Sequence, residues 1–316
     1  MRTFIKEQEF SQTLKSTVLP YLAARAKVET CTARDGSTLY TVTYQADAPR
    51  GTVVIVHGFS ECTDKYSEWI YYLLREGLSV LVFDQRGHGR SHRETAANII
   101  HVDRFERYVE DLEDVLAARR GDLCAPLYLF AHSMGGGVSL LFLEKHKDVF
   151  KKAVFSAPLI SLQYRGLARM CATSACRFCT LTGRANKMVF VAKRDYASES
   201  FDRSAALSPS RFAYLHELRN RDPLFAGGAP SYAWSLAALK LPKKILKDPA
   251  LAEVTLPVLL LSADTEHLVS PEAQAAVAKK LPHCTHKTVP GSKHEILFAN
   301  DEILHPVLDE ILDFLQ

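Results

Sequence analysis

Five short, unbroken apolar runs set the terms for how this chain can fold: TVVIV (52–56), LSVLVF (78–83), LYLF (127–130), KAVF (152–155) and VLLL (258–261). A strand covered by other elements on both faces has no solvent side on which to alternate, so it reads as a continuous apolar stretch. TLYTVTY (38–44) instead alternates, as a half-buried strand does. Between the runs lie amphipathic stretches of helical length at Tyr66–Glu76, Phe105–Arg119, Met134–Lys145, Pro271–Lys280 and Asp301–Leu315. Strand and helix in alternation predict an α/β fold, a mostly parallel central sheet with helices on both faces.

The alternation lapses over residues 159–247, which carry Arg, Met, Cys, Phe and Tyr without an obvious strand. The expected organisation is therefore a core of residues 1–158 and 248–316 with a helical cap, residues 159–247, over the carboxyl edge of the sheet. Residues 159–230 hold eleven Lys and Arg against five Asp and Glu, so this insertion is basic although the whole chain has a net charge of only +3. So mild an overall charge, without a basic tract, does not suggest a nucleic-acid partner. Charged residues interrupt the first fifteen positions, which speaks against an export signal. No apolar run reaches the roughly 18 residues that a membrane-spanning helix needs. Seven scattered cysteines form no disulfide framework and fit a reducing cytoplasm.

The chemistry concentrates in LYLFAHSMGGGVSLL (127–141). A nucleophile on a sharp strand-to-helix turn needs small neighbours two residues before and after it, because its backbone is strained and the chain is crowded there. Ser133 stands at such a corner, with Ala131 and Gly135 at the flanking positions and a helical pattern from Met134. A serine in a strand, Gly-rich turn and helix can also be an ordinary helix N-cap; the catalytic reading, which the context favours, needs a base and an orienting acid elsewhere in the chain. Asp264 follows the run VLLLSA, and His294 follows HKTV and the Pro290-Gly291 turn. The order serine, acid, histidine is the one this turn requires. Glu266 and His267 compete with Asp264 and His294 for those roles, and His283 and His286 fit surface or strand positions. The helix N-terminus offers the Met134 amide to a developing oxyanion. The second donor is expected from the loop TVVIVHGFS, where Gly58 permits a sharp turn and the Phe59 amide can face the same point; His57 reads as a structural turn residue.

These segments resemble the α/β-hydrolase superfamily, and within it the lysophospholipase and monoacylglycerol lipase branch. The likeness is carried by HGFSE with KYSEW behind it, FDQRGHGRS, HVDRFERYVEDL, AHSMGGG, SAPL, GGAPSYAW, LLLSAD and GSKHEILF, and is strongest to bacterial lysophospholipases. It implies a serine ester hydrolase with Ser133, Asp264 and His294 as its triad and Phe59 and Met134 as its oxyanion hole. Neither metal nor organic cofactor is implied. Cys62 departs from the pattern, since related lipases often carry histidine there. A lipid or small ester is the expected substrate, with an aminopeptidase, a small-molecule carboxylesterase or a non-catalytic binding protein as alternatives. The basic insertion suggests peripheral contact with an anionic membrane. Leu162, Tyr164, Met170, Phe178, Met188, Phe190 and Tyr232 are candidates for an acyl pocket or for the insertion's own core. Cys171, Cys176 and Cys179 read as small buried hydrophobes rather than metal ligands.

Overall fold

The computed structural model describes residues 2–96, 98–164, 166–190 and 198–316. Its strands are β1 (Ala26–Thr32), β2 (Thr38–Tyr44), β3 (Thr52–Val56), β4 (Ser79–Phe83), β5 (Ile99–Ile100), β6 (Leu127–His132), β7 (Lys152–Ser156), β8 (Ala229–Pro230), β9 (Val258–Thr265) and β10 (Cys284–Lys293). Its α-helices are α1 (Phe10–Thr13), α2 (Leu19–Ala23), α3 (Ser67–Arg75), α4 (Glu106–Arg119), α5 (Met134–Lys145), α6 (Gly166–Cys179), α7 (Pro209–Arg221), α8 (Tyr232–Ile245), α9 (Pro271–Ala278) and α10 (Asp301–Leu315). Eight strands form one sheet in the order β1-β2-β4-β3-β6-β7-β9-β10. The β1–β2 and β2–β4 pairs are antiparallel and every other pair is parallel.

Each continuous apolar run is divided residue by residue between two layers, because successive side chains of a strand point to opposite faces. Val54 and Val56 of β3, Leu81 and Phe83 of β4, and Leu129 and Ala131 of β6 enter one core cluster, which α4, α5, α8 and α9 cover with Leu112, Val138, Leu241 and Val277. Val53, Ile55, Val80, Val82, Tyr128 and Phe130 face the other way, under Leu14, Leu73 of α3 and Ile311 of α10. All six apolar runs and stretches named from the sequence are strands. The edge strand β1 was not expected: its AKVETCT pattern buries only Cys31, too little hydrophobic signal to stand out.

The stretch between β7 and β9 holds α6, α7 and α8. It also contains a strand that hydropathy does not show, β8, whose two residues pair with β5. Here HVDRF meets GGAPSYAW, with Ser231 Oγ lying 2.9 Å from His101 Nδ1. Trp234, Ala238 and Leu241 of α8 are buried in the same cluster as the sheet, whereas α6 buries only Cys176. No helix among the described residues is long and apolar enough to cross a membrane.

Candidate active site

The carboxyl ends of β3, β6 and β9 meet at one rim, and two of the three polar side chains expected from the sequence, Ser133 and His294, meet there. Ser133 occupies the turn between β6 and α5 with φ 48° and ψ −117°. Such a conformation is unfavourable for a residue with a Cβ and persists only when the surroundings over-determine it. They do so here: the Ser133 amide donates to the Ser156 carbonyl at 3.0 Å, and its own carbonyl accepts from Gly136 and Leu159 at 2.9 and 2.7 Å. A Cβ on Gly135 would lie 2.1 Å from the carbonyl oxygen of Val56, and one on Gly136 would lie 2.4 Å from Pro158. Close backbone approach, rather than flexibility, is therefore what the glycines of AHSMGGG supply. Ala131, fully buried, fills the other flanking position.

His294 follows β10 directly. Its Nε2 is 2.9 Å from Ser133 Oγ and its Nδ1 is 2.6 Å from Glu266 Oε2, and both neighbours are buried. The carboxylate that meets the imidazole is thus that of Glu266, not that of Asp264. Asp264 is the penultimate residue of β9 with an exposed side chain, and its Oδ2 accepts the Gly291 amide at 2.9 Å, bracing the Pro290-Gly291 turn instead. Glu266 is the first residue beyond the strand, where the chain folds back; its Oε1 accepts the Leu268 amide at 2.8 Å and the Val269 amide at 3.3 Å, leaving Oε2 for the imidazole. Burial alone would raise the Glu266 carboxyl, but the hydrogen bond and charge of His294, together with the two amides, hold it below its ordinary value. His267, the other competitor, is exposed and lines the cavity above.

Met134 opens α5, so its amide has no acceptor within the helix. The Phe59 loop abuts the serine closely enough that a Cβ on Gly58 would lie 3.1 Å from Ser133 Cβ. Ser60, at φ 60°, fixes that loop by donating from Oγ to the Gly228 carbonyl at 2.8 Å. His57 is the turn brace expected of it. Its Nε2 accepts the Gln85 amide at 2.9 Å, so Nδ1 carries the proton and donates to the Gly58 carbonyl at 2.8 Å, and burial pushes its imidazole down from the ordinary value. Asp84 of FDQRGHGRS accepts the Thr63 and Arg90 amides at 2.7 and 2.8 Å and so pins the following turn.

Above the serine lies a cavity of about 690 Å³ lined by Phe59, Ser133, His294 and a mostly apolar wall. Of the acyl-pocket candidates, Leu162, Tyr164, Phe190 and Tyr232 line it. Met170 and Phe178 face outward, 66% and 65% exposed, and Met188 bridges to Ser231. Cys62 is buried among Leu215, Leu218 and Phe298, and burial pushes its thiol well up, so it serves as packing. Among the described residues, the three-donor cluster that could hold a metal is Glu61, His132 and Glu295. Lys65 Nζ, 2.6 Å from each carboxylate, already supplies a cation there.

A family model described as serine aminopeptidase, S33, matches residues 47–301. The chain is an α/β-hydrolase of that family. This hydrolase is 30% identical over 290 residues to lysophospholipase L2 of Escherichia coli K12, covering 87% of the chain and 83% of the relative. It is 24% identical over 315 residues to a probable lysophospholipase L2 of Haemophilus influenzae, covering 99% of both. A soluble variant of the Saccharomyces cerevisiae monoglyceride lipase, solved with a substrate analog, shares the fold with a TM-score of 0.72 at 19% identity, over 92% of this chain and 95% of that one.

Proposed function

We propose that this hydrolase cleaves the carboxylic ester of a lysophospholipid or monoacylglycerol through an acyl-enzyme on Ser133. The observation that carries the reading is the unbroken hydrogen-bonded chain Ser133–His294–Glu266 at the floor of a mostly apolar cavity. His294 Nε2 takes the Ser133 proton as Oγ attacks the ester carbonyl, and the Phe59 and Met134 amides receive the oxyanion. The proton then passes from His294 to the departing alkoxide. Water, deprotonated by the same imidazole, releases the fatty acid and restores the serine. Glu266 holds Nδ1 protonated and offsets the charge that the ring gains.

Residues 159–247 act in this reading as a cap whose apolar wall takes the acyl chain. The rim carboxylates Glu61 and Glu295 are engaged by Lys65, so they offer no free anionic pair to a substrate amine; this favours a lipid ester over a peptide. We also infer a cytoplasmic protein that visits an anionic membrane surface. Leu167, Met170, Phe178 and Leu181 of the α6 region are exposed beside Arg177 and Arg184, whereas Arg211 of α7 is spent internally on Glu68 and Asp301.

The test is a hydrolysis panel of lysophospholipids, monoacylglycerols, short aryl esters and aminoacyl arylamides, with Ser133→Ala as the blank and an organophosphonate as the serine label. Long-chain lipid esters are expected to be turned over best, and Ser133→Ala to lose both labelling and turnover with its fold intact. Undiminished turnover by that variant would reject the assignment, and preference for the arylamide would reject the substrate class.

A further inference from the structure

Behind the His294 imidazole lies a second buried polar cluster, which takes no direct part in proton transfer to the substrate. Lys65, 4% exposed, places Nζ 2.6 Å from Glu61 Oε1 and 2.6 Å from Glu295 Oε2. The other oxygen of Glu61 accepts the Gly58 amide at 2.8 Å and the Tyr66 hydroxyl at 2.7 Å. His132 faces both carboxylates, its Nε2 being 3.5 Å from Glu61 and 3.6 Å from Glu295, while Nδ1 donates to the Ser156 carbonyl at 3.0 Å. The His132 and His294 rings lie 5.1 Å apart, centre to centre.

A buried ammonium and carboxylate, with a second carboxylate partly buried beside them, are costly to desolvate, and apolar residues of the same shape would hold a fold at least as well. Their placement gives the cluster a use. Glu61 grips the amide next to Phe59, on the loop that carries an oxyanion donor. Glu295 is the neighbour of His294 on the loop that carries the base. We propose, resting on the roles assigned above to Ser133 and His294, that Lys65 is a positioning residue: its ammonium ties the oxyanion loop to the histidine loop and limits the cluster beside the imidazole, Glu266 apart, to one net negative charge.

Each half of that role has a physical consequence. The oxyanion donors and the base act together only as charge develops, so loosening the tie weakens transition-state binding more than substrate binding. The charge acts on the imidazole pair. Glu266 and Ser133 face His294 by hydrogen bonds, with His132 and Glu295 beside it; Glu61, Glu295, Lys65 and His294 face His132; Lys65, Tyr66, His57 and His132 face Glu61. Burial pushes the His132 imidazole down to about 4 against the pull of the two carboxylates, so it stays neutral while Lys65 carries the positive charge. One net negative charge favours the imidazolium formed in the transition state. Two would favour it before substrate binds.

The experiment compares Lys65→Met, Glu295→Gln and the double variant on a soluble aryl ester, with active sites counted by the organophosphonate burst. Lys65→Met is expected to lower kcat per titrated site about 10–100-fold with KM nearly unchanged, and to move the acid limb of kcat/KM to higher pH. Glu295→Gln is expected to move that limb to lower pH. The double variant restores one net negative charge without the tie, so its limb returns to the wild-type position while kcat stays low. Wild-type kcat and pH profile in Lys65→Met, or limbs that shift in the same direction in the two single variants, would overturn the proposal. Should Lys65→Met fail to fold, Glu295→Gln decides: a downward shift upholds the charge role and an unchanged profile refutes it. Failure of the hydrolase reading is recognised separately, as wild-type protein that neither labels at Ser133 nor turns over ester.

Discussion

The corner beneath Ser133 and the helix α6 that stands beyond it are built to opposite standards. At the corner Ser133, His294 and Glu266 are all buried, both backbone groups of Ser133 are hydrogen-bonded to the neighbouring strand and loop, and three glycines are held against other backbone. On α6 a single residue is buried, and Leu167 and Phe178 are 73% and 65% exposed. Chemistry that depends on sub-ångström geometry sits where packing allows one arrangement. The surface contact proposed for α6 would need no such constraint, since an exposed apolar face suffices for it. Substitutions at the corner should therefore act on kcat or on folding, and substitutions on the exposed face of α6 on surface binding alone.

The largest expected effect separates the two acids. Glu266→Gln removes the charge behind His294 and permits the wrong tautomer, so kcat should fall roughly 10⁴-fold, while Asp264→Asn leaves turnover little changed. Equal losses in the two would break the assignment of Glu266. Gly135→Ala comes next: with Val56 oxygen 2.1 Å from the new Cβ, the β3 backbone must move, and denaturant unfolding should show a loss of about 3 kcal/mol. Wild-type stability would mean that the corner is softer than its contacts imply.

A smaller effect follows pH. In the unfolded chain an imidazole titrates near its ordinary 6.5, whereas burial pushes folded His132 down to about 4. Between those values the unfolded state binds the extra proton, so this group's contribution to stability is complete above about pH 6.5 and is lost as pH falls towards 4, by up to about 3 kcal/mol. His57 and His88, also pushed down by burial, add to the same slope. Thermal melts across this window should flatten in His132→Asn, and an unchanged slope would exclude the group. The smallest effect belongs to the far region. Leu167→Asp with Phe178→Asp should weaken binding to anionic vesicles by about thirtyfold, each lost apolar contact contributing on the order of 1 kcal/mol, and leave hydrolysis of a soluble aryl ester intact. Unaltered vesicle binding would remove α6 from the docking surface.

Much of this architecture was legible before any coordinates. Five continuous runs were legible as strands because burial on both faces erases alternation, TLYTVTY because a half-buried strand keeps it, and AHSMGGG announced its turn through residues that have little or no side chain. Short or weakly patterned pieces were hidden: β1, which buries one residue of seven, and the β5–β8 pair, where two residues a side cannot display a period. Lys65 was hidden differently. It reads as one more charge on an amphipathic helix start, and nothing local reveals that its partners lie four and 230 residues away.

Sequence alone determined the layering, the corner and the identity of its serine and histidine, because hydrophobic period and the steric need for glycine are local properties of the chain. The carboxylate that meets the histidine was decided only by tertiary structure. Asp264 and Glu266 stand two residues apart beyond the same strand, and which carboxylate meets the imidazole depends on how the chain turns after Thr265 and which amides claim the remaining oxygens. That choice is made by three-dimensional hydrogen-bond geometry, which spacing along a chain does not encode.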